Sequence, residues 1–472
     1  MDPSPLPQAI WATLSPDAQA AVTALVQSFE RRIADLEERL GKDSTNSSKP
    51  PSSDPPSVKR RPPAPASGRK RGGQPGHRHH PRALVPPERI RQVIECKPPT
   101  CRCCGLDLHG DDREPLRHQV AEVPPIEPTV DEYRLHRLKC PRCGTSTCAT
   151  LPPGVPAGAF GPRLRAILSV LAGAYRLGKR PIRQLASDLL GLTISTGMIS
   201  RLERQAAAEL EAPVEGLRRY VRAADSAHID ETSWKQGRDK GWLWVAVTRL
   251  VTVFAIATSR GAGVAKDLLG TDRRKVVISD RFKSYAWIKR RQFCWAHLDR
   301  DFQAMVDRGG ESAEVGRQLL AYSREVFDWW HRVRDGTMAR ATLRTNVSIL
   351  RISFRSVLSE GVECSCAKTA GTCRELLAGE THLWTFVRVE GIEPTNNDAE
   401  RALRHGVIYR KTSGGTDSEA GSRFVERMLS VVATCRQQDI NVLDYLTRCY
   451  QAHLEGSTIP SLIPTSPTAQ VA

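Results

Sequence analysis

The chain has 472 residues, of which 40% are hydrophobic and 6% aromatic, and it carries a formal net charge of +17 at pH 7. At roughly 100–200 residues per domain this length implies two to four domains, and the charge favours a polyanionic partner. No apolar run approaches the ~18 residues of a membrane-spanning helix, and the opening MDPSPLPQAI has no charged stretch followed by an apolar one, so nucleic acid is favoured over membrane and a cytoplasmic location over secretion.

Residues 1–41 contain Val22, Val26, Phe29, Ile33, Leu36 and Leu40 at alternating steps of four and three, the seam of a coiled coil. An amphipathic helix packed on its own protein fits this short run equally well. From 42 to 82 the composition turns to Ser, Pro, Gly and basic residues, with ten Lys and Arg (Arg69, Lys70 and Arg71 among them) against two Asp. Such a stretch cannot offset its ordering entropy by burial and reads as a disordered basic arm for DNA, or as a solvated linker.

A zinc-binding module is expected over 83–155. CRCCG and CPRCG each place cysteines three apart before a glycine, so Cys101, Cys104, Cys140 and Cys143 would hold one structural Zn²⁺. Cys103 allows another register, Cys96 and Cys148 are spare thiols, and the plain alternative is a set of unrelated thiols. Thirteen cysteines without a secretion signal fit reduced thiols or metal better than disulfides. Cys364, Cys366 and Cys373 lack paired spacing and read as ordinary thiols. A helical DNA-binding domain is expected over 156–220, where RPIRQLASDLLGLTISTGMISRLERQ has a helix-turn-helix outline. Gly191 would mark the turn, Ser195 or Thr196 the cap, and Arg201 and Arg204 the second helix. A purely structural helical pair is the other reading.

After Arg222 the pattern becomes that of strands, SAHID, GWLWVAVT, VTVFAIATS and KVVISD, with a helix-like GAGVAKDLL before the last. Asp230 and Asp280 stand at expected strand ends, where each taken alone reads as a turn or cap. In EPTNNDAERALRHGVIYRKTSGG, Thr395 and Asp398 have capping-box spacing. A helix starting near Thr395 would put Glu400 on its second turn, beside Arg401 and Arg404, with Arg410 and Lys411 further on. Its plain reading is a Glu400–Arg404 surface pair. Three separated carboxylates suit two divalent ions, Mg²⁺ or Mn²⁺, acting at a phosphodiester, with the arginines holding DNA phosphates.

At this point the chain resembles a DDE transposase of the bacterial insertion sequence 66 family. The resemblance rests on NSSKPPSSD, GGQPGH, the paired CxxC, HIDETSW, ISDRFKSY, CWAHLDRDF, EPTNNDAERALR and RKTSGGTDSEAGSRFVERMLSVVATCRQQ. It implies a multidomain protein with an α/β RNase-H-like catalytic domain over 221–450, a helical insertion at about 302–391 and a tail over 451–472. In it Asp230, Asp280 and Glu400 hold two Mg²⁺ and cleave element ends, and the exposed 3′-hydroxyl attacks target DNA. The partners implied are the element's terminal repeats, target DNA, further copies of the chain in a synaptic complex, and small accessory proteins. His405 stands where that family would have proline. Glu231, Asp299 and Asp301 are nearby alternative carboxylates that rank as supporting ones, with Glu231 on the opposite face from Asp230 if its strand continues. His297 reads as a structural histidine or a phosphate or metal contact, and Trp384 as core or as a platform for an unpaired base. A zinc-containing regulator with an inactive catalytic domain, or a nuclease without strand transfer, are the competing functions.

Overall fold

The computed structural model describes residues 7–41 and 83–463, so the expected basic arm with Arg69, Lys70 and Arg71 lies outside the described residues. Helix α1 (Gln8–Trp11) leads into α2 (Pro16–Gly41), on which Leu25, Phe29, Ile33 and Leu36 are each about half exposed. In the single chain the apolar seam is thus open to solvent.

Between 83 and 155 almost every residue is exposed. The order there is local: strands β1 (Arg137–Lys139) and β2 (Ser146–Cys148) pair antiparallel around the second cysteine knuckle.

Helices α3 (Pro162–Gly173), α4 (Lys179–Leu190), α5 (Thr196–Glu209) and α6 (Glu211–Ala223) follow. Gly191 ends α4 at φ 63°, and the Ser195 hydroxyl accepts from the Met198 amide at 3.1 Å to cap α5, as the helix-turn-helix outline requires. These helices have no separate core: Ile182, Ile199, Leu210 and Leu217 belong to the same apolar cluster as the sheet that comes next.

Strands β3 (Ser226–Gln236), β4 (Asp239–Val247) and β5 (Thr252–Ala257), helix α7 (Ala262–Leu269), and strands β6 (Val276–Ser279) and β7 (Arg290–Phe293) build one five-stranded sheet, in the order β5-β4-β3-β6-β7. The first three strands form an antiparallel meander, while β6 and β7 run parallel to β3. The expectation that Asp230 ends its strand is corrected. The alternation continues through Thr232, Trp234 and Gln236, each paired with β4, and Asp230 sits mid-strand opposite Val245.

After β7 come α8 (Trp295–Asp307), α9 (Gly310–Arg334), α10 (Arg340–Val362), α11 (Ala367–Ala378) and the short α12 (Thr385–Arg388), which span the region expected as a helical insertion. They bury a second cluster in which Trp384, 1% exposed, lies 5.1 Å from Trp295 and 5.6 Å from Phe354 between ring centroids. Its indole donates to Glu380 Oε1 at 2.7 Å. Trp384 is therefore a core residue with no face free for a base.

Helices α13 (Asn397–Ser413), α14 (Glu419–Gln437) and α15 (Val442–Glu455) return to the sheet. On α14, Glu426, Ser430 and Thr434 recur every four residues, a rise of about 6 Å, which nearly matches two residues of an extended strand. They accept from the amides of Ile256, Phe254 and Thr252 at 2.9, 2.8 and 3.1 Å, satisfying the outer edge of β5 with side chains. The segment expected as a tail continues α15 to Glu455 and then folds back: Leu462 is buried and the Tyr445 hydroxyl donates to Pro460 O. Among the described residues no helix is long and apolar enough to cross a membrane.

Candidate active site

The parallel register of β3 and β6 places His228 opposite Ile278. Two residues further along each chain, Asp230 and Asp280 come level on adjacent strands and, by the two-residue period, project to the same face as His228 and Ile278. Each carboxylate is tied to its local backbone: Asp230 Oδ1 accepts from the Glu231 amide at 2.8 Å, and Asp280 Oδ1 from the Phe282 amide at 3.0 Å. Burial, followed by the charges of Glu231, Asp280 and Glu400, holds the Asp230 carboxyl well above the usual carboxylate range. Burial also raises Asp280 and Glu400, against nearby arginines.

Glu400 reaches this face on α13, whose start differs from the expected one. Asn396 occupies the N-cap position and Glu400 lies in the first turn rather than the second. Asn396 does not cap the helix with its side chain. Its amide instead donates to Ile229 O at 2.8 Å and its Oδ1 meets His228 Nδ1 at 3.2 Å, pinning the start of α13 to β3. At the other end Arg410 bonds Thr232 Oγ1 at 3.1 Å and Ser233. Between them Gly406 passes so close to β4 that an added Cβ would lie 2.1 Å from Leu243 Cδ2. The helix runs unbroken through His405, which lies mid-helix, exposed and 3.3 Å from Arg176.

Glu400 Oε1 is 3.3 Å from His297 Nδ1 and 3.4 Å from Arg300 Nη2, so its closest partners are on α8 rather than at Arg404. Burial, then Arg300 and Arg281, lowers His297 to about 3 and leaves its imidazole neutral. Cys294, at the N-cap of α8, receives the Asn396 amide on its sulfur at 3.1 Å, and burial pushes its thiol up to about 12.

The other carboxylates are engaged elsewhere. Glu231 lies on the opposite face of β3, with a side chain 1% exposed, paired to Arg260 at 2.7 Å and accepting from the buried Tyr285 hydroxyl. Asp301 pairs with Arg281 at 2.8 Å, and Asp299 accepts from Ser323. Arg291 donates to Asp280 O at 2.8 Å. Asn396, His228, Arg260, Arg291 and Cys294 were missed as site residues; the paired asparagines of PTNND were the readable signal for the first.

The donor chemistry fits divalent cations. The largest charges acting on Asp230 are those of Glu231, Asp280 and Glu400, all negative, so a cation there would relieve the repulsion, although the three acids are not gathered within ligand distance of one another. The cysteine knuckles fit a soft ion, since Gly105 and Gly144 take φ 72° and 73° and fold amides back on Cys101 and Cys140. Hydrogen bonds from the backbone of Cys104 and Cys103 lower the Cys101 thiol, and the Thr145 hydroxyl lowers Cys143 to about 7. Each knuckle closes on its own pair, and the four thiols are not gathered at one point. Among the described residues, the group of three or more metal-capable ligand atoms brought together is Cys294, His297 and Glu400.

Of the expected DNA contacts, Arg201, Arg404 and Lys411 are exposed, and Arg401 is exposed while paired with Asp398. Arg410 is half-buried on β3. A cavity of about 210 Å³ opens beside the start of α13, lined by His228, Asp398 and Arg401 and, from α9, by Trp330, His331 and Arg334.

Residues 157–423 match the Transposase IS66 family, and residues 3–83 match a family of unknown function (DUF6444). Two proteins of Sinorhizobium fredii (strain NBRC 101917 / NGR234), both described as uncharacterized, are similar. The y4qI protein is 26% identical over 80% of this chain and 75% of its own length, and y4hP is 25% identical over 75% and 70%.

Proposed function

Because the chain belongs to the IS66 transposase family, we propose that it cleaves DNA at the ends of its element and joins the freed 3′-hydroxyl to target DNA, with Asp230, Asp280 and Glu400 as the catalytic acids. The meander followed by parallel strands, with the third acid on a later helix, supports an RNase-H-like reading of the domain. The observation that carries the proposal is the register of β3 and β6, which brings two half-buried acids level beside the helix that bears the third.

These three carboxylates would hold Mg²⁺ or Mn²⁺, which when bound supplies Lewis-acid activation of the attacking oxygen and stabilises the leaving oxygen. The chain's own part is positional. Asn396 and Arg410 fasten α13 to β3, while the buried Glu231 and Tyr285 and the half-exposed Arg260 form a network behind the acids. Arg401 and Arg404 project from the catalytic helix where a DNA phosphate would lie, and Arg334 and His331 bring charge and hydrogen-bonding capacity from the insertion. Arg201 on α5, the basic arm and the paired knuckles, with one Zn²⁺ across Cys101, Cys104, Cys140 and Cys143, supply further DNA contacts in this reading, and α2 pairs copies of the chain.

The test incubates purified protein with labelled DNA carrying the flanking ends, in Mg²⁺ or Mn²⁺, and compares it with Glu400→Gln. End-specific 3′-hydroxyl products are expected, reduced at least ~10³-fold in the variant, which corresponds to about 4 kcal/mol of transition-state stabilisation. Equal cleavage by the variant would remove Glu400 from the catalytic set, and binding without cleavage in either metal would favour the regulator.

A further inference from the structure

We propose that Cys294, His297 and Glu400 form a zinc site that shares Glu400 with the catalytic acids, so that Zn²⁺ and catalysis compete for one carboxylate. The site itself stands on geometry; the competition rests on the catalytic reading above.

One sulfur, one imidazole nitrogen and one carboxylate oxygen lie within 4.8 Å of one another. The positions follow from how two elements begin. Cys294 caps α8 at the end of β7, His297 follows one turn later, and Glu400 sits in the first turn of α13. The two helix starts are stitched together, with Trp295 N donating to Pro394 O at 3.0 Å and Asn396 N to the Cys294 sulfur at 3.1 Å. The two helix starts that carry the three side chains are thus held together by backbone groups of Trp295 and Asn396.

A thiolate, an imidazole and a carboxylate make a donor set suited to Zn²⁺, whereas Mg²⁺ takes oxygen ligands. Three protein ligands leave a fourth tetrahedral position for water. The Asn396 amide on the sulfur is the kind of outer contact that orients a ligand. Arg300 shares Glu400 Oε1 and would have to leave on binding; its side chain is 26% exposed, so solvent can receive it.

Glu400 already faces this side, in contact with His297. Zinc would hold it there and keep it from Asp230 and Asp280. The DNA-cleaving centre would then be silenced without any change in the two aspartates.

The test measures zinc bound per full-length chain by dialysis and elemental analysis under reducing conditions. Wild type is compared with Cys294→Ala and His297→Gln, the second being a substitution at a partly exposed position should the first disturb folding. Wild type should retain one equivalent more than either variant, because the four knuckle cysteines are common to all three. Equal zinc content in all three proteins would overturn the site.

A second measurement titrates Zn²⁺ into the Mg²⁺-dependent cleavage assay. Inhibition should need at least ~10-fold more zinc in His297→Gln. An extra bound equivalent in wild type without inhibition would overturn the competition. A protein that binds the extra zinc but cleaves under no metal condition would fail the catalytic proposal and leave the zinc site supported.

Discussion

Single residues in this protein draw their chemistry from what encloses them. Asp230 lies on a strand whose letters read as an ordinary alternation; burial and three like-charged neighbours hold its carboxyl well above the usual carboxylate range. Lys275 shows the same effect outside the site. It immediately precedes β6 at 4% exposure, its ammonium reaching Val221 O, and burial lowers it to about 8 from 10.5 despite Asp272 and Asp225 nearby. Since the folded-state value lies below the unfolded one, the unfolded chain binds more protons between pH 8 and 10.5. Stability from this group therefore rises with pH across that window, and its cost is fully present below pH 8. Lys275→Met should raise the unfolding free energy of the core measured by urea titration at pH 7, by up to about 3 kcal/mol on the scale of 1.4 kcal/mol per pH unit, with the advantage shrinking towards pH 10.5. A difference that stays constant with pH would show that folding does not lower the lysine.

At the scale of elements, periodicity reads well where one face decides burial and poorly where a partner element decides the ends. The strands SAHID, GWLWVAVT and KVVISD were legible, and so was the Gly191–Ser195 turn, because alternation and capping are local. The start of α13 was not. Thr395 has the spacing of a cap, yet Asn396 takes the position because its amide can reach Ile229 O across the sheet. The α2 seam is a local pattern that this single chain does not satisfy, with Phe29 and Ile33 at 56% and 53% exposure. Phe29→Asp combined with Ile33→Asp should lower the oligomer mass in sedimentation and leave the thermal transition of the core in place. An unchanged mass would assign the seam to something other than self-association.

Across the whole molecule, two apolar clusters account for the fold from Ala166 onward, one around the sheet and one in the insertion, and neither includes the cysteine knuckles. If the four knuckle thiols share a zinc ion, its binding energy is the folding energy of that segment. Chelation should then speed amide exchange between Cys101 and Cys148 while α14 and the sheet stay protected; no change around the knuckles would remove zinc from them. The sequence by itself determined the family, the strand and helix types and the helix-turn-helix outline. All of these are written in local periodicity, capping and short motifs. Only the tertiary structure decided that β3 continues past Asp230, that Trp384 is interior, that Arg410 is fastened to β3, and that Glu400 meets Cys294 and His297 across about a hundred residues of chain. Such contacts depend on which elements pack together, and packing energy is shared among residues too far apart in sequence for any local pattern to record it.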